Sequence, residues 1–299
     1  MDRFEAMRLF TRIVELGSFS RAAEQLGLAR ASATQVIKQL EQHLGTRLLS
    51  RTTRRVTPTV DGETYYRRCV AILGDVDEAE AALAHAGQSP RGSIRVDLSS
   101  SLCRLVLLPA LPAFCARHPL IRLEISVSDR HIDLEREGVD CALRIGALRD
   151  TPYVARRLGT LAQLTCASTD YLERHGRPRT IADLHAHRAV DYLSATSGKP
   201  VPMSFVVDGR SEDVSLPGSV SVNNGDAYVA ACEAGFGLIQ VPHYHVARQL
   251  AEGTIEEVLA EFRPPALPLH VVSRPTRQQS ARVRVFVDWL GELFAGSPD

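Results

Sequence analysis

Gly17-Ser18-Phe19-Ser20-Arg21-Ala22-Ala23-Glu24-Gln25-Leu26-Gly27 is the stretch whose reading decides the fold. Before it, Met7, Phe10, Ile13 and Val14 repeat at three- and four-residue steps, the period of an amphipathic helix, and Gly17 ends that pattern. Ser18 is placed to cap a short second helix, Ser20 to Leu26, because its hydroxyl can accept an unpaired first-turn amide. Gly27 suits the left-handed conformation that stops the helix. A third helix then runs from about Ala31 to Leu44 with Ala33, Ile37, Leu40 and Leu44 on one face. Two short helices around a Gly-containing turn are the helix-turn-helix signature.

Off the apolar stripe of the third helix lie Arg30, Ser32, Thr34, Gln35 and Lys38. In this motif that surface enters the major groove of a duplex. Arg, Gln, Ser and Thr pair with base edges, and Lys more often meets phosphate. An ordinary solvated helix face carries the same residue types, so the flanking sequence has to decide. Thr46 to Val56 reads as a short strand, a polar turn and a return strand, a wing that adds Arg51, Arg54 and Arg55. Residues 1–58 hold ten Lys/Arg against five Asp/Glu, a net of +5, whereas the whole chain sums to zero. Basic charge is therefore concentrated where a DNA backbone would lie.

The 299 residues suffice for two or three cores, and 44% hydrophobic with 23% charged residues is ordinary composition for a soluble protein. No leader pattern and no continuous apolar run of spanning length stands out, so a cytoplasmic location is expected. Cys69, Cys103, Cys115, Cys141, Cys166 and Cys232 are scattered without a C-x-x-C pair, which predicts free thiols, no zinc site and no redox role for Cys103. No nucleophile elbow, zinc-protease helix or phosphate-binding loop is present. Gly235-Phe236-Gly237 has Gln240 where a dinucleotide fingerprint needs its third glycine. His185 and His187, like His243 and His245, are two apart and point to different helix faces. Neither a metal nor another cofactor is expected, nor enzymatic chemistry.

From Thr59 to Ala86 the pattern becomes one long helix with a stripe that includes Tyr66, Cys69, Val70, Leu73, Val76 and Leu83. A lone helix cannot hide such a stripe, so it packs on its own chain or on a second copy. Gly87 to Gly92 reads as a linker. Beyond it strands and helices alternate: Ser93–Leu98, Arg122–Val127 and Val139–Ile145 as strands, then a second cycle with strands near Gln163–Ala167, Met203–Val207, Ser219–Val222 and Leu238–Val241. Val271–Ser273 returns as a strand, and a closing helix spans Ala281 to Phe294. Such alternation predicts an α/β sheet flanked by helices.

The block Gly17-Ser18-Phe19-Ser20-x-Ala22-Ala23, the helix end Leu40-Glu41-x-x-Leu44-Gly45 and Arg51-Thr52-Thr53-Arg54-Arg55 resemble the LysR-type transcriptional regulators. The resemblance continues through Arg144-Ile145-Gly146, Val222-Asn223-Asn224-Gly225 and Ala234-Gly235-Phe236-Gly237-Leu238. One departure is that the third helix lacks the family's capping Ser or Thr. This chain has Ala29 and Ala31, so the cap passes to Ser32 or is lost. The resemblance implies a winged helix-turn-helix over residues 1–58, a dimerising linker helix over 59–88 through Tyr66, Val70, Leu73 and Val76, and an effector domain over 89–299. That domain would be two-lobed α/β, like periplasmic binding proteins, with lobe I about 91–160 plus 269–299 and lobe II about 161–268.

A homodimer or homotetramer on double-stranded DNA is implied, with a carboxylate-bearing or aromatic small molecule between the lobes. Open α/β sheets bind ligands beyond their strand ends and near helix N-termini. Ser99, Ser100 and Ser101 stand after the first strand of the domain, and the facing segments supply Ser128, Asp129, Gly146, Phe205, Asn223 and Asn224. A ligand-binding module or enzyme tethered to DNA is the alternative reading.

Overall fold

The computed structural model describes residues 2–51, 56–84, 89–130, 132–148, 152–275 and 280–295. The chain divides into two compact units, Met1–Ser93 with Asp133–Val139, and Ile94–Ile132 with Asp140–Asp299.

In the first unit the chain runs through α1 (Arg3–Leu16), α2 (Phe19–Gln25), α3 (Arg30–Leu44), β1 (Leu49–Arg51), β2 (Val56–Pro58) and α4 (Val60–Ala84). Asp2 caps α1 by accepting the Phe4 amide at 2.8 Å, and Ser18 caps α2 by accepting that of Arg21 at 3.4 Å. Gly27 turns the chain at φ +66°, where a side chain would be strained. The first turn of α3 receives no side-chain cap: Ala29 holds the capping position and Ser32 does not replace it. Ala6, Leu9, Phe10 and Ile13 of α1 meet Ala22, Ala23, Ala33, Ile37 and Leu40 in one core. β1 and β2 pair antiparallel, Ser50 opposite Thr57.

The linker helix is joined closely to this wing. Thr59 accepts the Gly62 amide at 2.9 Å and donates its hydroxyl to the Arg47 carbonyl at 2.7 Å. Gly62 lies so near the wing that a Cβ there would overlap the Leu48 carbonyl.

The second unit holds two lobes. Its first sheet has strand order β4-β3-β5-β14-β6, from β3 (Gly92–Leu98), β4 (Ile121–Val127), β5 (Cys141–Ile145), β6 (Val154–Leu161) and β14 (Leu267–Ser273). β3 and β5 are parallel, and β14 runs antiparallel to both β5 and β6. α5 (Ser100–Leu102), a π turn (Cys103–Leu107) and α6 (Leu108–Arg117) form a continuous helix that packs on this sheet with α11 (Ala281–Ala295). Phe114, Phe286 and Trp289 stack at the centre of that core, with ring centroids 4.9 to 5.6 Å apart. Ser100–Arg117 is the one described helix with the length and mean hydropathy, 1.3, of a membrane span, which the sequence reading did not single out. Its Leu102, Leu107 and Phe114 are buried in the lobe, while Leu108 is 48% exposed.

Between the two stretches of the second unit falls α7 (Leu134–Glu137), which clusters with the first unit. The second lobe comprises β7 (Gln163–Ser168), α8 (Thr169–His175), β8 (Ala189–Tyr192), β9 (Met203–Val207), β10 (Arg210–Val214), β11 (Gly218–Val222), α9 (Gly225–Glu233), β12 (Ile239–Pro242), α10 (His243–Glu252) and β13 (Ile255–Val258). β12-β7-β13 is antiparallel. A bridge from Leu238 to Ala189 links it to the parallel pair β8–β11. The chain leaves the first sheet after Leu161 and returns at Leu267, so two crossings connect the lobes.

Candidate functional site

The outward face of α3 carries the residues singled out for base contact. Arg30, Ser32, Gln35 and Lys38 are exposed, while Ala33, Ile37 and Leu40 turn into the core behind them. Thr34 is half-buried, and its hydroxyl donates to the Arg30 carbonyl at 3.1 Å, so its proton is engaged within the helix. The backbone of Arg51 lies in β1; Arg54 and Arg55 fall outside the described residues. Sequence reasoning missed the group that anchors the wing. One oxygen of Glu41 accepts the amides of both Leu48 and Leu49, at 2.9 and 3.1 Å. α3 and the first wing strand are thereby fastened together. Glu41 was visible as part of the Leu40-Glu41 motif, but nothing local to it announces a bond seven residues away.

Along α4, Cys69 is fully buried and Tyr65 and Tyr66 pack on the α1 core. Leu73 is only 9% exposed within its own chain. Val70 and Val76 are half-buried, and Ile72, at 40%, is the large apolar side chain left open at mid-helix.

In the second unit, the N-termini of the Ser100–Arg117 helix and of α9 meet across the lobes. Ser100 donates its hydroxyl to Asp226, whose other oxygen takes Arg104 Nη2 at 2.6 Å. Asp129 accepts the Ser100 amide at 3.4 Å and the side-chain amide of Asn224, which in turn caps α9 through the Ala227 amide at 3.0 Å. Burial raises the Asp226 carboxyl, but the bonds from Arg104 and Ser100 outweigh it and hold the group below its ordinary range. Ser101 is buried, and burial suppresses the acidity of the Tyr244 hydroxyl. That hydroxyl meets His245 Nε2 at 2.8 Å. Burial pulls His245 down to about 4, so the imidazole is neutral at neutral pH, and its Nδ1 is buried without a partner among the described residues. The Ser99 hydroxyl, at the head of the first-lobe helix, is likewise buried with no hydrogen bond among the described residues.

Of the other expected cleft residues, Ser128 follows β4 and donates its amide to the Leu98 carbonyl at 2.9 Å. Gly146 gives its amide to the Pro268 carbonyl at 2.9 Å. Asn223 is exposed at the end of β11. Phe205 does not belong with them: at 0% exposure it packs with Tyr171, Leu184 and Leu238 in the second-lobe core. Alternation along β9 identified a buried face but not which side of the strand faces the cleft. The thiol of Cys103 is buried and pushed up by that burial, which disfavours the reactive thiolate. His187 is buried against the Tyr171 hydroxyl while His185 is exposed, so the pair shares no ligand site. No His/Cys/Asp/Glu cluster able to hold a metal occurs among the described residues.

Residues 4–63 match the family described as bacterial regulatory helix-turn-helix protein, lysR family, and residues 87–295 match the LysR substrate binding domain. The chain belongs to the LysR-type transcriptional regulators. Among similar proteins, the HTH-type transcriptional regulator YhjC of Escherichia coli is 38% identical over 97% of each chain. An HTH-type transcriptional repressor of Pseudomonas aeruginosa is 37% identical over 100% of this regulator and 94% of its own length. The solved structure of the LysR-type regulator CrgA from Neisseria meningitidis superimposes with a TM-score of 0.62 at 32% identity, covering 98% of this chain and 99% of that one. The LysR-type regulator therefore pairs a DNA-binding helix-turn-helix with a two-lobed α/β regulatory domain, and its relatives are named as transcriptional regulators rather than enzymes.

Proposed function

We propose that this regulator reads a two-half-site operator as a dimer and that a small organic effector held between the lobes of its second unit modulates that binding or the bend it imposes. Cytoplasmic action, on chromosomal DNA, is part of the same reading. The observation that carries it is the Ser99 hydroxyl: buried, unpartnered, and set where a helix N-terminus meets the cleft. A buried hydroxyl without a partner is costly, and a polar ligand group would satisfy it. Carboxylate-bearing and aromatic metabolites are the classes to screen by thermal shift. Once one stabilises the protein, Ser99→Ala should weaken that ligand about ten- to hundredfold, the worth of a hydrogen bond to a charged group. DNA binding without ligand should stay as it was. Equal ligand affinity in both proteins would move the site elsewhere.

The DNA side rests on the exposed polar face of α3 and the basic wing. Gln35→Ala should lose roughly 1–3 kcal/mol at a single operator position and relax preference there, as expected of a bidentate contact to adenine. Footprinting against an operator library reads this directly; a uniform loss over all sequences would reassign Gln35 to the phosphate backbone.

Dimerisation through α4 is supported by its open apolar residues. Ile72→Asp leaves the chain's own core untouched yet places a charge that a helix pair would have to desolvate without a partner. Sedimentation should show the assembly dissociating at concentrations where wild type stays paired. A variant that sediments like wild type removes this face from the interface.

A further inference from the structure

The cleft end of the Ser100–Arg117 helix already carries a carboxylate. Asp226 reaches from the first turn of α9 and takes the Ser100 hydroxyl on one oxygen and the Arg104 guanidinium on the other. A hydroxyl and a guanidinium, one turn apart at a helix N-terminus, are also the donors a free organic acid would use there. Beside them the Ser99 hydroxyl is buried and unbonded, so the donor set extends past what Asp226 satisfies. The Asp129–Asn224 bond ties the same two lobes a few residues away, and the Asp226 bonds reinforce that closure.

We propose that Asp226 is a built-in surrogate for an effector carboxylate: it bonds the lobes through Ser100 and Arg104, and a carboxylate-bearing effector has to take its place at those donors. The idea rests on the effector reading above for its regulatory meaning. Exchanging one carboxylate for another leaves the hydrogen bonds at Ser100 and Arg104 nearly unchanged. Net affinity then has to come from Ser99 and from whatever else the ligand carries. Simple acids, which carry nothing else, are excluded, and a larger acid is admitted. Displacing Asp226 also releases one tie between the lobes, which couples occupancy to their arrangement.

The test uses the full-length protein and potassium acetate as the probe, titrated against potassium chloride at equal ionic strength. Acetate should raise the melting temperature of Asp226→Ala with an apparent Kd at least tenfold below any wild-type response. Adding Ser100→Ala or Arg104→Gln to the same variant should abolish the gain. Should the alanine variant fail to fold, Asp226→Ser, whose hydroxyl suits the first turn of a helix, gives the same readout. An acetate response equal to that of wild type, or one that survives loss of both Ser100 and Arg104, overturns the proposal. Acetate binding by Asp226→Ala beside a wild type that no organic acid stabilises would support the surrogate and remove the effector reading. A wild type stabilised by a larger acid beside an Asp226→Ala variant blind to acetate would retain the effector reading and overturn the surrogate.

Discussion

Arg144→Met should cost the second unit about 3–5 kcal/mol of stability, the usual penalty for removing one partner of a buried ion pair. Asp97, on β3, is 0% exposed. Its carboxylate is held by Arg144 Nη2 from β5 at 2.7 Å and by the Ser126 hydroxyl from β4 at 2.9 Å. Three neighbouring strands thus converge on one charge. Without the guanidinium, Asp97 keeps a single hydroxyl donor and remains out of water. Methionine fills much of the arginine stem, so the loss reports the charge rather than a cavity. The double change Asp97→Leu with Arg144→Met should recover most of the loss, because apolar replacement of both partners is often neutral or better. Trp289, the only tryptophan, lies in the core of the same lobe and reports urea unfolding by fluorescence. If the single variant unfolds at the wild-type midpoint, the pair carries no stability.

Acidification should expose the second large effect, at His245. Its folded value, about 4, lies below the ordinary 6.5 because burial disfavours the imidazolium, with Arg104 adding to and Asp226 opposing that shift. The unfolded chain therefore takes up a proton that the folded chain refuses. The contribution is fully present above pH 6.5, shrinks as pH falls between the two values, and is gone below the folded one. At roughly 1.4 kcal/mol per unit, the loss amounts to roughly 3 kcal/mol by pH 4. Carboxylates titrate over part of the same window, so the informative quantity is the difference from His245→Gln, which cannot gain the charge. Parallel stability curves for the two proteins from pH 7 to pH 4 would show that His245 is hydrated.

The first unit was legible because its helices carry their own punctuation. Ser18 and Thr59 cap the helices they were assigned to, and the three- and four-residue spacing of Phe10, Ile13, Ile37 and Leu40 marks the faces that meet in the core. In the second unit, strands with a buried face such as β3 and β5 stood out, but β6, β8, β10 and β13 did not. β6 is a sheet edge with Arg156 and Arg157 exposed, and Arg210–Val214 is a polar hairpin strand, so neither shows apolar alternation. Ile255–Val258 is too short for a period to register.

The cleft was half readable for a related reason. Three serines after a strand announce a helix N-terminus locally, whereas Arg104 and Asp226 stand 122 residues apart and meet only once both lobes have formed. Phe205 shows the opposite failure, a residue assigned to the cleft by its neighbourhood in sequence and placed in the core by the side of the strand it occupies.

The close seating of Gly62 on the Leu48 carbonyl, with Thr59 bonded on either side, leaves no slack where the linker helix meets the wing. A helix fixed this way acts as a lever whose short arm is the wing itself. Any roll or tilt imposed farther along α4 reaches β1 and β2 as the same angular change, and through Glu41 it also reaches α3. In a pair of such chains, the angle between their two linker helices would dictate the separation and pitch at which two recognition helices meet a duplex.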